Sequence, residues 1–218
     1  MLTSMINRGK VMMYRLFTIK QNSVLLILCL IFVGCSYTPN RYSFSLIEPQ
    51  NEKMSFVDSD VEFRFVPSSE NIRVTIKNKA DYKIYLVRDN AEYIDYSGES
   101  HRIHYGDDYV EEVLNFEMEN KRFATPFRIK PGSEISGFIW INNWPDGHIG
   151  QGPDDTPILS YNILNRMEPF FPRYSFEGSV EGLKSSTFNL ILPIDFGEYV
   201  RDYTFTFKID DVIEGKKN

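Results

Sequence analysis

Cysteine is nearly absent: 218 residues hold two, Cys29 and Cys35, both near the N-terminus. No disulfide framework, thiolate metal cluster or cysteine nucleophile is therefore expected in the chain beyond Cys35. Histidine is almost as scarce, at three residues, His101, His104 and His148. No Asp or Glu occurs before Cys35. The chain lacks a Gly-x-Ser-x-Gly elbow, a His-Glu-x-x-His pair and a phosphate-binding Walker loop, which points away from the enzyme types those motifs mark. No internal repeat is evident. Long apolar runs are missing too. The longest, Val24 to Val33, has ten residues, whereas a membrane-spanning helix needs roughly 20.

Ten residues is the length of a signal-peptide core, and the flanks agree. Arg8, Lys10, Arg15 and Lys20 precede it, and a basic leader before a short apolar core keeps its positive end on the cytoplasmic side. Met12 or Met13 would give a leader of more usual length than Met1. The run closes on Phe32-Val33-Gly34-Cys35. This resembles the lipobox of bacterial lipoprotein precursors, with Phe32 where leucine is usual. The resemblance implies a signal peptide over 1–34, removal after Gly34, and a diacylglyceryl lipid on the Cys35 thiol. Two acyl chains hold a protein durably on a bilayer, at about 0.8 kcal/mol per buried CH₂. Ser36 then implies outer-membrane sorting where the organism has two membranes, and the outer face of the cytoplasmic membrane where it has one.

The leader holds four of the 24 basic residues and none of the 30 acidic ones, so the mature chain of 184 residues carries −10 with histidine neutral. That charge argues against nucleic acid as a partner, and against docking on anionic lipid through basic residues. The length fits one domain with a self-sufficient core. Thirteen Tyr, 17 Phe and two Trp supply large apolar surfaces for it.

The residues divide into a tether over 35–54, marked by Pro39 and Pro49, a folded domain over 55–213 and a frayed tail over 214–218. Within the domain, period-two alternation dominates. Val61, Phe63 and Phe65 alternate with Glu62 and Arg64. Ile72, Val74 and Ile76 alternate with Arg73, Thr75 and Lys77. Tyr203, Phe205, Phe207 and Ile209 alternate with Thr204, Thr206 and Lys208. Such patterns are half-buried antiparallel strands. Further strands are expected at 82–86, 92–96, 100–105, 127–130, 134–141 and 188–194, giving about eight. A short helix or an extended segment fits 108–120 equally. Residues 142–157 form a breaker-rich loop. The expected fold class is all-β, a single antiparallel sandwich. Ile129-Lys130-Pro131-Gly132-Ser133, and the hairpin from Leu192-Pro193-Ile194 to Tyr203-Thr204-Phe205-Thr206-Phe207, resemble the immunoglobulin-like domains of bacterial envelope proteins. The resemblance implies a fold and no activity.

Candidate chemistry is thin. His101 and His104 are three apart in a strand, which sends them to opposite faces and argues against a shared metal. The loop residues Trp144, Asp146, His148, Asp154 and Asp155 are the candidate ligand loop, for a glycan stacked on rings or for a cation held by oxygens, against the alternative of a solvated acidic loop. Trp140, Tyr161, Phe170 and Phe171 extend the aromatic cluster, against the alternative of ordinary core. Asp107-Asp108 and Glu111-Glu112 read as a solvated face. No catalytic residue, metal site or cofactor is expected. The functional expectation is a non-enzymatic interaction or structural module of the envelope, held on a membrane by lipidated Cys35 and binding another envelope component, a protein or a glycan, with edge strands open to strand addition. A carbohydrate-binding lipoprotein is the first alternative, and a hydrolase of unrecognised type the second.

Overall fold

Alternation decides which backbone pairs with which, because a strand that buries every second side chain must lie in a sheet covered on one face. The computed structural model describes residues 38–109, 111–112, 125–141 and 168–216. Pro39–Lys216 form one compact unit. Its strands are β1 (Arg41–Glu48), β2 (Gln50–Asn51), β3 (Ser55–Val57), β4 (Val61–Pro67), β5 (Ile72–Asn78), β6 (Ile84–Leu86), β7 (Glu92–Ile94), β8 (Ser100–Gly106), β9 (Phe127–Ile129), β10 (Glu134–Ile141), β11 (Thr187–Asp195) and β12 (Val200–Ile213). A 3₁₀ turn over Arg88–Asn90 separates β6 from β7. The fold is all-β and antiparallel, as the alternation implied.

The strands run in the order β2-β1-β12-β11-β7-β8-β10-β5-β4-β3, with β6 joining β11 to β9. Strand β8 changes sides along its length. Ser100, His101 and Arg102 pair with β7, while Ile103 to Gly106 pair with β10. The ladder therefore doubles over at β8 into two leaves. One holds β1, β12 and β11, and the other holds β10, β5 and β4. Their inner faces meet ring to ring: Phe65 lies 4.5 Å from Phe205 and Phe63 lies 5.0 Å from it, centroid to centroid. Val61, Phe63 and Phe65 of β4 and Phe205, Phe207 and Ile209 of β12 are all buried. Packed aromatic pairs of this kind contribute about 0.5–1.5 kcal/mol beyond their burial. Pro193, which has no N–H to give a ladder, stands where β11 changes neighbour: Asn189–Ile191 pair with β7, and Ile194 with β6.

The structure corrects the tether. The sandwich begins at Pro39 and not at residue 55. Tyr42, Phe44 and Leu46 point inward along β1, with Leu46 fully buried, and β1 pairs with β12 from Arg41↔Ile213 to Glu48↔Thr206. Two prolines obscured an alternation that is present in the residues themselves. Of the tail, Gly215 is tied down, its N–H donating to Asn40 Oδ1 at 2.8 Å. Phe170, Phe171 and Trp140 are core residues, 5%, 2% and 4% exposed. Of the segment 108–120, only Asp108, Tyr109, Glu111 and Glu112 are described. They open a helical turn, with the Glu112 N–H donating to the Asp108 carbonyl and the Asp108 carboxylate capping the Glu111 N–H.

Candidate functional site: an arginine–aromatic pole and two histidine sites

Two turns meet at one end of the sandwich. The β3–β4 turn closes because Asp58 Oδ1 accepts the N–H groups of Asp60 and Val61, both at 2.8 Å. The β11–β12 turn closes on Gly197, whose φ of 95° suits glycine and whose N–H donates to Asp195 Oδ1 at 2.7 Å. Arg201 reaches across from β12. Its Nη1 donates to Asp58 Oδ2 at 3.1 Å and to Asp60 Oδ2 at 3.4 Å. The Tyr203 hydroxyl donates to Asp58 Oδ2 at 2.8 Å. One carboxylate thus joins both leaves, across 143 residues to Arg201. Burial pushes the Asp58 carboxyl up, but the hydrogen bonds from Val61, Asp60 and Tyr203 and the charge of Arg201 hold it below its usual value. Tyr203 moves the other way, raised by burial and then by Asp58.

The same guanidinium faces three rings. Its central carbon stands 5.3 Å from Phe196, 5.5 Å from Tyr199 and 5.6 Å from Tyr203. Phe196 and Tyr199 stack at 5.1 Å. Of this pair Tyr199 is exposed, and so is Tyr82. Tyr82 belongs to the group: partial desolvation, then Tyr199, Asp60 and Asp81, raise its phenol.

The opposite end of β12 receives the chain. Asn40 is buried, its Nδ2 donating to the Pro172 carbonyl at 2.9 Å, its N–H to the Arg173 carbonyl at 2.7 Å, and its Oδ1 accepting from Gly215. The Tyr42 hydroxyl donates to the same Pro172 carbonyl at 2.7 Å.

His101 and His104 do not meet. They find different carboxylates, as their spacing in a strand implied. His104 is buried, with Nε2 3.0 Å from Glu112 Oε2. Arg88 Nη1 donates to the same oxygen at 3.1 Å. Gly106 makes room for Glu112, since a Cβ there would lie 2.4 Å from Glu112 Cγ. The hydrogen bond to His104, then the charge of Arg88, hold the Glu112 carboxyl below its usual value against the opposing effect of burial. The sequence neighbourhood implied a solvated face here, and for Glu112 the structure corrects it: the carboxylate is half-buried between Arg88 and His104. It fastens the segment after β8 to the sandwich. His101 Nε2 lies 3.2 Å from Asp95 Oδ2, in the hairpin between β7 and β8, with Glu99 beside them.

The remaining sequence candidates, Phe32, Val33, Gly34, Cys35, Trp144, Asp146, His148, Asp154 and Asp155, and also Tyr161, lie outside the described residues. Among the described residues no helix is long and apolar enough to cross a membrane. The Arg201 pole was missed in the sequence. The Phe-Gly-Glu turn was legible, but nothing local links it to Asp58. No family model, curated protein or solved structure matches the chain.

Proposed function

We propose that this chain is a lipid-anchored bacterial envelope protein whose sandwich is a non-enzymatic interaction module, and that the Arg201 pole is the surface it offers to a protein partner. The observation that carries the proposal is the half-exposed Arg201 side chain held against Phe196, Tyr199 and Tyr203, with the exposed rings of Tyr82 and Tyr199 beside it. Arginine and tyrosine are the residues most enriched in the energetic centres of protein interfaces. Here they are pre-ordered, so little side-chain freedom remains to be lost on binding. Edge strands are a weaker candidate, because the outermost strands of the ladder, β2 and β3, have two and three residues, and very short edges are how natural sheets discourage strand addition. The immunoglobulin-like reading of the sandwich belongs to this proposal. It rests on the 129–133 turn and on the closing hairpin of β11 and β12.

Connectivity supports the orientation. The chain enters the sandwich at Asn40, beside the Ile213 end of β12, and the pole stands at its Val200 end. Ile213 is twelve steps along the chain from Arg201, which spans roughly 40 Å at about 3.3 Å each. A lipid on Cys35 sits four residues before Pro39, a reach of at most ~14 Å. Lipidation at Cys35 would hold the Asn40 end near the bilayer and present the pole outward.

The test places a photo-crosslinking amino acid at Tyr199, and separately at Ile213, in cells making the full chain. The proposal expects a discrete protein adduct at 199 and none at 213, lost on Arg201→Ala. It also expects fatty acid label in wild type and none in Cys35→Ser, which should leave the membrane fraction. A glycan adduct at 199 would favour the carbohydrate reading. Equal adducts at both positions would refute the pole, and a Cys35→Ser chain that stays membrane-bound would refute the anchor.

A further inference from the structure

The hairpin between β7 and β8 has a second use for His101. The turn is built by Asp95. Its Oδ1 accepts the Ser97 N–H at 2.8 Å, the Ser97 hydroxyl at 2.7 Å and the Glu99 N–H at 2.9 Å, while the Asp95 N–H donates to the Glu99 carbonyl at 2.9 Å. Oδ1 is thereby saturated, and Oδ2 is left to face His101. One carboxylate oxygen each of Asp95 and Glu99 and a His101 ring nitrogen lie within 4.8 Å of one another. The Glu99 side chain is exposed and has no hydrogen-bond or ion-pair partner among the described residues.

We propose that Asp95, Glu99 and His101 form a binding site for a late first-row divalent metal ion of the zinc class. The spacing fits that ion. Ligands about 2.0–2.1 Å from a tetrahedral zinc stand roughly 3.3–3.4 Å apart, and His101 Nε2 already stands 3.2 Å from Asp95 Oδ2. Only the Glu99 carboxylate must close in. It is carried by an exposed, rotamer-rich side chain, while Asp95 and His101 are partly enclosed. The donor set selects among ions. Imidazole suits zinc, nickel and copper, whereas calcium and magnesium ask for six or more oxygens, including water. On binding, the neutral imidazole gives the metal its Nε2 lone pair and carries its one proton on Nδ1, while the Asp95 and Glu99 carboxylates give oxygen lone pairs, so no covalent bond is broken. Three protein ligands leave a fourth position for water or for a partner's side chain.

The site also has a structural consequence. Its ligands come from the end of β7, the turn and the start of β8, and β8 is the strand along which the ladder passes from one leaf to the other. A metal there would clip the β7–β8 hairpin at that crossing and stabilise the fold by mass action. This inference is independent of the Arg201 pole, which lies elsewhere in the fold.

The test uses the full chain in detergent micelles, stripped with a chelator and dialysed, then titrated with zinc chloride by calorimetry, with metal content checked by mass spectrometry. The variants are Glu99→Gln, His101→Ala and, as a control for an imidazole outside the site, His148→Ala. The proposal expects one zinc per chain, a melting temperature that rises with zinc, at least tenfold weaker binding in Glu99→Gln and in His101→Ala, and unchanged binding in His148→Ala. Glu99→Gln removes no contact among the described residues, so its loss of zinc cannot be put down to misfolding. The proposal is overturned if zinc fails to saturate, if both variants bind as wild type does, or if calcium competes at equal concentration.

Discussion

Replacing Glu112 with glutamine removes a charge and keeps the shape of the side chain. Glu112 Oε2 serves both Arg88 and His104, and the side chains of Glu112, Arg88 and His104 expose 24%, 11% and 3% of their surface. A hydrogen bond to a charged acceptor contributes about 1.5–3 kcal/mol, and glutamine keeps one oxygen able to hold one of the two bonds in neutral form, at about 1 kcal/mol. Arg88 is not orphaned, because it also donates to the carbonyls of Thr125 at 2.8 Å and Tyr105 at 3.0 Å. That keeps the loss below the ~3–5 kcal/mol expected when a buried charge loses its only partner. The expected destabilisation is about 1.5–3 kcal/mol, which lowers Tm by roughly 3–12 °C for a unit of this size. The sign with pH follows from the direction of the shift. The folded carboxyl sits below its ordinary value of 4.5, so its stabilisation is full above that value and is lost as pH falls through the folded one. Urea unfolding of wild type and Glu112→Gln at about pH 7 and about pH 3.5 reads this directly. The deficit should be largest at neutral pH and shrink in acid. Equal deficits at both, or a neutral-pH deficit below about 0.5 kcal/mol, would refute the role given to this carboxylate.

Gly106→Ala should act on the same group, because its Cβ would overlap Glu112 Cγ at 2.4 Å. A loss of about 1–3 kcal/mol is expected, and in combination with Glu112→Gln the two losses should not add, as a double-mutant cycle in urea would show. A chain cut to begin at Pro39 should keep the β-sheet circular dichroism and cooperative melting of the longer chain. One cut to begin at Ser55 should lose both, since it removes β1 and the buried Leu46 from the inner face of β12. Asn40→Ala strips a buried side chain of its bonds to Pro172 and Gly215. It should cost about 1–3 kcal/mol and speed amide hydrogen exchange at Gly215 first. Phe205→Ala opens the ring cluster between the leaves and should cost about 3–5 kcal/mol, measured as a Tm fall with no change in secondary structure below the transition.

Much of the sandwich was legible because strand alternation is a local signal. Val61 to Phe65, Ile72 to Ile76 and Tyr203 to Ile209 each announce a buried face within five to seven residues, and each is a strand with that face inward. Tyr42, Phe44 and Leu46 carry the same pattern but sit between Pro39 and Pro49, residues that ordinarily break strands. Reading the breakers ahead of the alternation made a tether of β1. Hairpins were legible where a turn residue stood between two alternations, as at Ser97-Gly98-Glu99 and Phe196-Gly197-Glu198. The gap in β11 that accepts Pro193 was not, because it depends on where two short neighbours end.

The candidate sites belong to the other category. By itself the sequence determined the basic, carboxylate-free stretch before Cys35, the scarcity of cysteine, the acidity of the chain beyond Cys35 and the inward faces of β4, β5 and β12, because all of these are properties of composition or of neighbours along the chain. Only the tertiary structure decided that Arg201 meets Asp58, that Glu112 lies between Arg88 and His104, and that Asn40 holds Gly215 across 175 residues. Those meetings depend on which strands pair and in what register. A one-residue slip in that register turns every side chain of a strand to the other face, so the surroundings of these groups are fixed by the assembled ladder and not by the residues beside them.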